Sequence, residues 1–492
     1  MRRDALLSYP IVMPRPALPD VRATRPSTKS PSMTAPARAA VASLGRSAEH
    51  PFPVDTAVLE RVAAAILAAA NSGGATAAET EVSQAVGQSV TVRQGEVETI
   101  AYNRDKGITV TVYVGQRRGQ SSTADFGDAS IRAAVDKALA IARFTAEDPC
   151  AGLADPSRLA RNWPDLDLYH PWALSVDDAI ELGREAERAA LAVDTRLVNS
   201  EGANVSRGES EFVYANSNGF CGGWRGSRHH IDCSVIGEDG GSMQRDYWYS
   251  ASRVPGELLP AADVGRIAGE RTARRLNARK LGTLECPVLF EAPEAADLIG
   301  SFVHAASGGS LYRRASFLLD ALGTGVFSTN VSIREEPHLP RARGSAPFDG
   351  EGVATAPRDV VRNGVLEGYF LGSYSARKLG LASTANAGGA HTLVVSHGDE
   401  DFAAMVRRMG RGLLVTEQLG QGVNLVTGDY SRGAAGFWVE GGEIAYPVEE
   451  ITIAGNLKDV FRDIVAIGSD VDRRGSRHVG SILVGRMTVA GH

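Results

Sequence analysis

Ile108, Val110, Val112 and Val114 alternate with Thr109, Thr111 and Tyr113. This period of two predicts a strand with one apolar face. Gly115-Gln-Arg-Arg-Gly119 turns the chain, and Gln120–Ala124 supplies a hairpin partner. Helical periods flank the hairpin. Over 55–71, Val58, Leu59, Val62, Ile66 and Leu67 form an apolar stripe; Asp55 is placed to cap its start and Gly73-Gly74 to end it. Asp128 is placed to cap a second helix whose Ile131, Val135, Ala138, Leu139 and Ala142 face inward. Strands covered by helices predict an α/β layer over 55–145.

A linker at 145–171, marked by Pro149, Pro156, Pro164 and Pro171, leads into a middle α/β stretch over 146–281. There Ser175–Val193 predicts a helix, with Ser175 as cap and Asp178 three residues on. Residues 195–253 read as strands. Residues 261–281 read as a basic helix whose final cations, Arg274 to Lys280, complement its dipole. From 282 to 492 the pattern is strand and turn, broken by a helical segment near 293–306. The fold class expected is α+β: N-terminal α/β layers, then a large, mainly antiparallel β domain, either a sandwich or a partly closed barrel.

Composition adds three limits. Glycine supplies 54 of 492 residues, which fits many short strands joined by tight turns. The net charge is −6, and residues 1–50 carry +5 of opposing charge in a Pro-, Ser-, Ala- and Arg-rich stretch. That stretch reads as a disordered basic extension, with Met13 and Met33 as alternative starts. The acidic remainder gives no electrostatic reason to expect nucleic acid. The longest apolar run, Val62–Ala70, is too short to cross a membrane, so no membrane association is expected. Cys150, Cys221, Cys233 and Cys286 are scattered, which fits reduced thiols in the cytoplasm.

Short motifs mostly read as turns. Gly219-Phe-Cys221-Gly-Gly223 outlines a nucleophile elbow with His229 and His230 near it in sequence. The next segment, Ile231–Ile236, reads as strand where an elbow requires a helix, so a glycine-rich hairpin is expected. Ser375-Ala-Arg-Lys378 has the Ser-x-x-Lys spacing without its companion motifs, and Gly420-Gln-Gly422 lacks the rest of a dinucleotide fingerprint. None of the ten histidines is followed by Glu, so no His-Glu-x-x-His helix is present. Metal ligands are expected only if distant residues such as His229, His391 and His397 converge.

Longer stretches carry a family resemblance. Asp148-Pro-Cys-Ala-Gly-Leu-Ala-Asp155, Pro347-Phe-Asp-Gly-Glu-Gly-Val353, Ser373–Leu381, Thr427–Trp438 and Glu449–Lys458 resemble the PmbA/TldE branch of the TldD/PmbA metallopeptidase family, in order and over roughly 79–492. The resemblance implies a cytoplasmic two-subunit zinc peptidase. Its TldD-type chain carries His-Glu-x-x-x-His and holds the zinc, and its TldE-type chain is a paralogous partner. Unfolded or leader-type peptides are cleaved in a chamber between them, in peptide-antibiotic maturation and antitoxin degradation. The corresponding helix here, Glu291–Gly300, has Glu294 and no histidine, and the last cysteine is Cys286. No catalytic residue, metal ligand or cofactor is therefore expected in this chain; zinc is expected in a TldD-like partner, with peptides bound as extended strands. Gly428-Asp-Tyr-Ser-Arg-Gly433 is expected to be a loop in which Asp429, Tyr430, Ser431 and Arg432 contact substrate or partner, or else one in which Asp429 and Arg432 pair to fix a tight turn. The alternative function is an independent hydrolase using Cys221 or a site built from the scattered histidines.

Overall fold

A computed structural model describes residues 52–491. The extension expected at 1–50, with Met13 and Met33, lies outside the described residues. The predicted hairpin forms, with strands far longer than one apolar run: β1 (Ala77–Arg93), β2 (Glu96–Val114) and β3 (Arg117–Thr123). Only Gly115 and Gln116 separate β2 from β3, and Gly115 takes φ 59°, the left-handed value such a turn needs. β4 (Leu197–Asn216), β5 (Cys221–Asp239) and β6 (Ser242–Ser252) continue the same antiparallel sheet in the order β3-β2-β1-β4-β5-β6. The β1–β4 ladder therefore joins the segments on either side of the proline-marked linker.

Alternation decides which face of this sheet is covered. Val82, Val90 and Val92 on β1 are fully buried beneath helices. Two of these are α1 (Thr56–Ser72) and α2 (Asp128–Phe144), which pack Leu59, Ile66, Ile131 and Leu139 over one end. The other two are α3 (Val176–Leu191) and α4 (Ala261–Arg275), which cover the far end. α3 starts as predicted: the Ser175 hydroxyl accepts from Asp178 N, and the Asp178 carboxylate accepts from that hydroxyl at 2.6 Å. The other caps differ. Asp55 makes no side-chain cap bond, and Gly127 occupies the cap position before Asp128.

α3 and α4 cross closely because small residues face each other. A Cβ on Gly265 would lie 1.8 Å from the Ala186 carbonyl oxygen. α4 ends at Arg275, six residues short of the predicted basic helix. Leu276 turns extended to bury its side chain, and Asn277 adopts φ 61°. The cations beyond it are spent elsewhere, Arg279 over the Tyr446 ring and Lys280 on Glu450.

The C-terminal part contains β7 (Leu284–Phe290), α5 (Ala292–Ala305), α6 (Gly308–Tyr312), β8 (Ile333–Glu335), β9 (Arg358–Arg362), β10 (Val365–Leu366), α7 (Ser373–Leu379) and β11 (Leu393–Val395). It continues with α8 (Phe402–Met409), β12 (Gly412–Leu419), β13 (Asp429–Glu440), β14 (Glu443–Asn456), α9 (Leu457–Arg462), β15 (Ile464–Ile467), β16 (Arg477–His478) and β17 (Ile482–Ala490). β14-β13-β12-β7-β17 closes into a five-stranded barrel through the β14–β17 ladder, with β15 beside β17. β10-β9-β8-β11-β16 forms a second sheet. β7–β12 and β11–β16 are parallel among otherwise antiparallel pairs. α5 and α9 pack Leu298, Phe302 and Phe461 into the core shared by barrel and sheet. The α+β class and the barrel alternative thus describe the fold. Among the described residues no helix is long and apolar enough to cross a membrane.

Candidate functional site

α5 runs from the end of β7 across the barrel and presents Glu291, Glu294 and Asp297, spaced by three residues, along one side. Each carboxyl is engaged. Arg271 on α4 donates to Glu291 at 2.8 and 3.0 Å and to Asp246 on β6 at 3.3 Å. The Gln418 amide donates to Glu294 Oε2 at 3.0 Å, and Arg432 pairs with Asp297. Arg275, 7% exposed, extends the network to Glu417 at 2.6 Å and Asp246 at 3.5 Å. These ion pairs tie the first sheet to the barrel. Burial, reinforced by Glu291 and Asp297, pushes the Glu294 carboxyl up to about 7 against the opposing pull of Gln418 and Arg271.

Residues 429–433 are strand where a loop was expected. Asp429 begins β13, and its register pairs Asp429 with Asn456 and Arg432 with Ile453. Alternation sends Tyr430 and Arg432 toward α5 and leaves Asp429 and Ser431 exposed on the other face. Tyr430 is 1% exposed and donates to Gln418, so it offers no surface to a partner. Asp429 and Arg432 do not pair with each other. Asp429 accepts from Thr427 and Asn456, and those bonds hold its carboxyl below the usual range. Local pattern does not reveal Arg271 and Gln418 as partners of α5, because Arg271 stands 20 residues from Glu291 and Gln418 stands 124 from Glu294.

The other sequence motifs stay apart. Cys221 opens β5 after a tight turn, so the glycine-rich hairpin forms, and burial raises its thiol pKa. His229 lies eight residues further along the same strand, about 26 Å at strand rise. His229 is fully buried and donates from Nε2 to the His170 carbonyl, while His391 Nε2 donates to the Ala385 carbonyl. His397 is exposed and hydrogen-bonds through Nδ1 to the Gly398 carbonyl. The Ser375 hydroxyl donates to the Gly372 carbonyl, whereas Lys378 pairs with Asp148 at 2.9 Å. Gly420-Gln-Gly422 is a turn, with Gly420 at φ 80°.

The first sheet's other face is covered at one end, where Phe212, Tyr214 and Trp224 pack with Phe220 and Phe348, and carries no helix over its middle among the described residues. Asn103, Gly87, Gly208 and Arg228 form one cross-strand row over β2, β1, β4 and β5. With the loops near 339–343 and 473–474, this face bounds a cavity of about 1290 Å³. A smaller cavity of about 670 Å³ lies at the C-terminal end of α5, beside His304, Glu351 and Arg477.

This layered fold and its three successive segments match a known class. The PmbA/TldA metallopeptidase domain 1 matches residues 78–142, the central domain 169–276 and the C-terminal domain 283–491. The chain belongs to the PmbA/TldD metallopeptidase family. It is 47% identical to metalloprotease PmbA of Escherichia coli O157:H7 over 85% of this chain and 93% of that one. With the PmbA homologue of Haemophilus influenzae it shares 46% over 86% of this chain and 94% of that one, against 22% with a TldD homologue of the same organism over 78% and 84%. The chain is thus of the PmbA/TldE type. Among solved structures, a Bacteroides thetaiotaomicron protein superposes with TM-score 0.84 at 28% identity, covering 88% of this chain and 99% of that one. TldE from Thermococcus kodakarensis gives TM-score 0.77 at 19% identity over 87% and 100%, a likeness of fold.

The family name implies a metal, and the donor set on α5 does not fit one. Two of its three carboxyls are ion-paired, Glu291 with Arg271 and Asp297 with Arg432, Glu294 accepts from Gln418, and no imidazole or thiolate stands among them to complete a zinc ligand set. Cys286 is 6% exposed, and burial pushes its thiol up to about 11. Among the described residues no three His, Cys, Asp or Glu side chains converge as ligands.

Proposed function

We propose that this chain is the TldE-like, non-metal-binding subunit of a heteromeric zinc metallopeptidase of the cytoplasm. A TldD-like paralogue carrying His-Glu-x-x-x-His holds the zinc, and this chain shapes the chamber in which unfolded or leader-type peptides are cut. The observation that carries the reading is the neutralised face of α5. The helix that corresponds to the family's motif helix has its carboxyls bound to Arg271, Gln418 and Arg432. Such a face positions the helix against the barrel and leaves no group to polarise water. Peptide capture is supported by β6, whose outer edge pairs with no other strand among the described residues and so has room for an added one. The exposed Asp429 and Ser431 remain contact residues in this proposal.

Native mass spectrometry of the tagged full chain, recovered from its own cell extract, tests the proposal. The expected species contains a second chain of about equal mass and zinc that leaves with that second chain. A partnerless chain that retains zinc, or that cleaves peptides alone, overturns it.

A further inference from the structure

The cavity over this sheet face holds an excess of positive charge that carboxylates among the described residues do not neutralise. Some arginines at its margin have carboxylate partners: Arg207 with Glu209, Arg341 with Asp167 and Glu257, and Arg474 with Asp472. Arg228, Arg253, Arg343 and Arg473 also line it, and none pairs with a carboxylate among the described residues. Arg253 is held in place by the carbonyls of Ser227, Ala342 and Arg343. Burial, and then the charge of Arg343, lower the pKa of both Arg228 and Arg253 from the ordinary guanidinium value. Guanidinium groups gathered without counterions repel one another, and an anion between them relieves that cost.

The floor restricts which anion fits. Beside the Gly87–Gly208–Arg228 row, the neighbouring rows contribute Ser89 with Ser206 and Ala85 with Ser210. Small side chains leave depth above the sheet. The five strands that line it, β2, β1, β4, β5 and β6, span about 19 Å, room for an extended chain. The cavity lining contains no Phe, Tyr or Trp; its ring side chains are His478 and His230, the latter stacked on Tyr249 with centroids 5.4 Å apart.

We infer that this arginine-lined trough binds a segment of peptide bearing several carboxylates, with Arg228, Arg343 and Arg473 reading its charge and Arg253 anchored beneath it. In naming a peptide the inference rests on the function proposed above, and it adds a preference for acidic sequence at a site separate from α5.

The test is fluorescence anisotropy of the purified full chain with a short labelled peptide of alternating Glu and Ala, its Gln counterpart, and a short oligothymidylate. At a partly exposed site each guanidinium–carboxylate pair contributes about 2- to 5-fold in affinity. The triple variant Arg228→Gln, Arg343→Gln, Arg473→Gln should therefore weaken the Glu peptide at least about ten-fold. The Gln peptide should bind the unaltered chain more weakly by a similar factor, and rising salt should erase the difference. Should the triple variant melt early, Arg343→Gln alone, an exposed side chain without a carboxylate partner, is expected to give a two- to five-fold loss. Equal binding of Glu and Gln peptides, undiminished binding by the folded variants, or tighter binding of the oligothymidylate overturns the inference. Selective peptide binding without a zinc-bearing partner in the native mass spectrum overturns only the proposed function; a partner without selective binding overturns only this inference.

Discussion

Glu294→Gln separates the charge of α5 from its shape. The native carboxyl titrates at about 7, against 4.5 for the exposed group. Folding thus favours its protonated form. Below about pH 4.5 the residue is neutral in both states and costs nothing. As pH rises through that value the unfolded chain ionises first and stability falls; above about 7 both states are ionised and the loss is constant. A difference of about 2.5 units corresponds to roughly 3 kcal/mol. Gln fills the same volume and can still hydrogen-bond Gln418, so the variant should match the native chain near pH 4.5 and exceed it by about 3 kcal/mol near pH 8. With the roughly 440 described residues unfolding, 1 kcal/mol moves Tm by about 1 °C, so the shift near pH 8 is about +3 °C. Asp349, which burial pushes up to about 6, contributes equally to both proteins and cancels in the difference. Differential scanning fluorimetry across pH reads the effect. A variant shifted by the same amount at both pH values, or destabilised near pH 8, refutes the argument that burial of this charge is what costs stability.

Arg271→Ala should cost about 3–5 kcal/mol, because it strips Glu291 of its partner and leaves Asp246, 5% exposed as a side chain, with the Tyr247 N–H and a single cation, Arg275, at 3.5 Å; the loss is read as a lower Tm and as release of the first sheet from the barrel in limited proteolysis. Gly265→Ala must move the α3 backbone, since the new Cβ meets the Ala186 carbonyl at 1.8 Å, and should cost about 1–3 kcal/mol by denaturant titration. Cys221→Ala, at an exposed strand end without an imidazole beside it, should leave stability within about 0.5 kcal/mol and leave unchanged the peptide cleavage of any complex containing the chain.

Much of the secondary structure follows from short-range pattern. The alternation at 108–114, the apolar stripes of α1 and α2, and the Ser175–Asp178 cap each depend on neighbours a few residues away, so they read directly from the chain. The same locality explains the errors. The cations past Arg275 suit a helix end and so lengthen the predicted α4, whereas Leu276 leaves the helix to reach the core. Residues 428–433 look like a loop for their Gly, Asp and Ser, whereas pairing with β14 makes 429–433 strand and buries Tyr430. The lack of histidine over Glu291–Gly300 was visible in the sequence. The engagement of its carboxyls by Arg271, Gln418 and Arg432 was not, because those partners arrive from elements 20 or more residues away. The sequence by itself determined the strand and helix periods, the missing metal motif and the resemblance to a family. Only the tertiary structure decided that β1 pairs with β4 across the linker, that β17 closes the barrel on β14, and that arginines from separate strands and loops share one trough. Those arrangements depend on contacts between distant segments, and no local period encodes them.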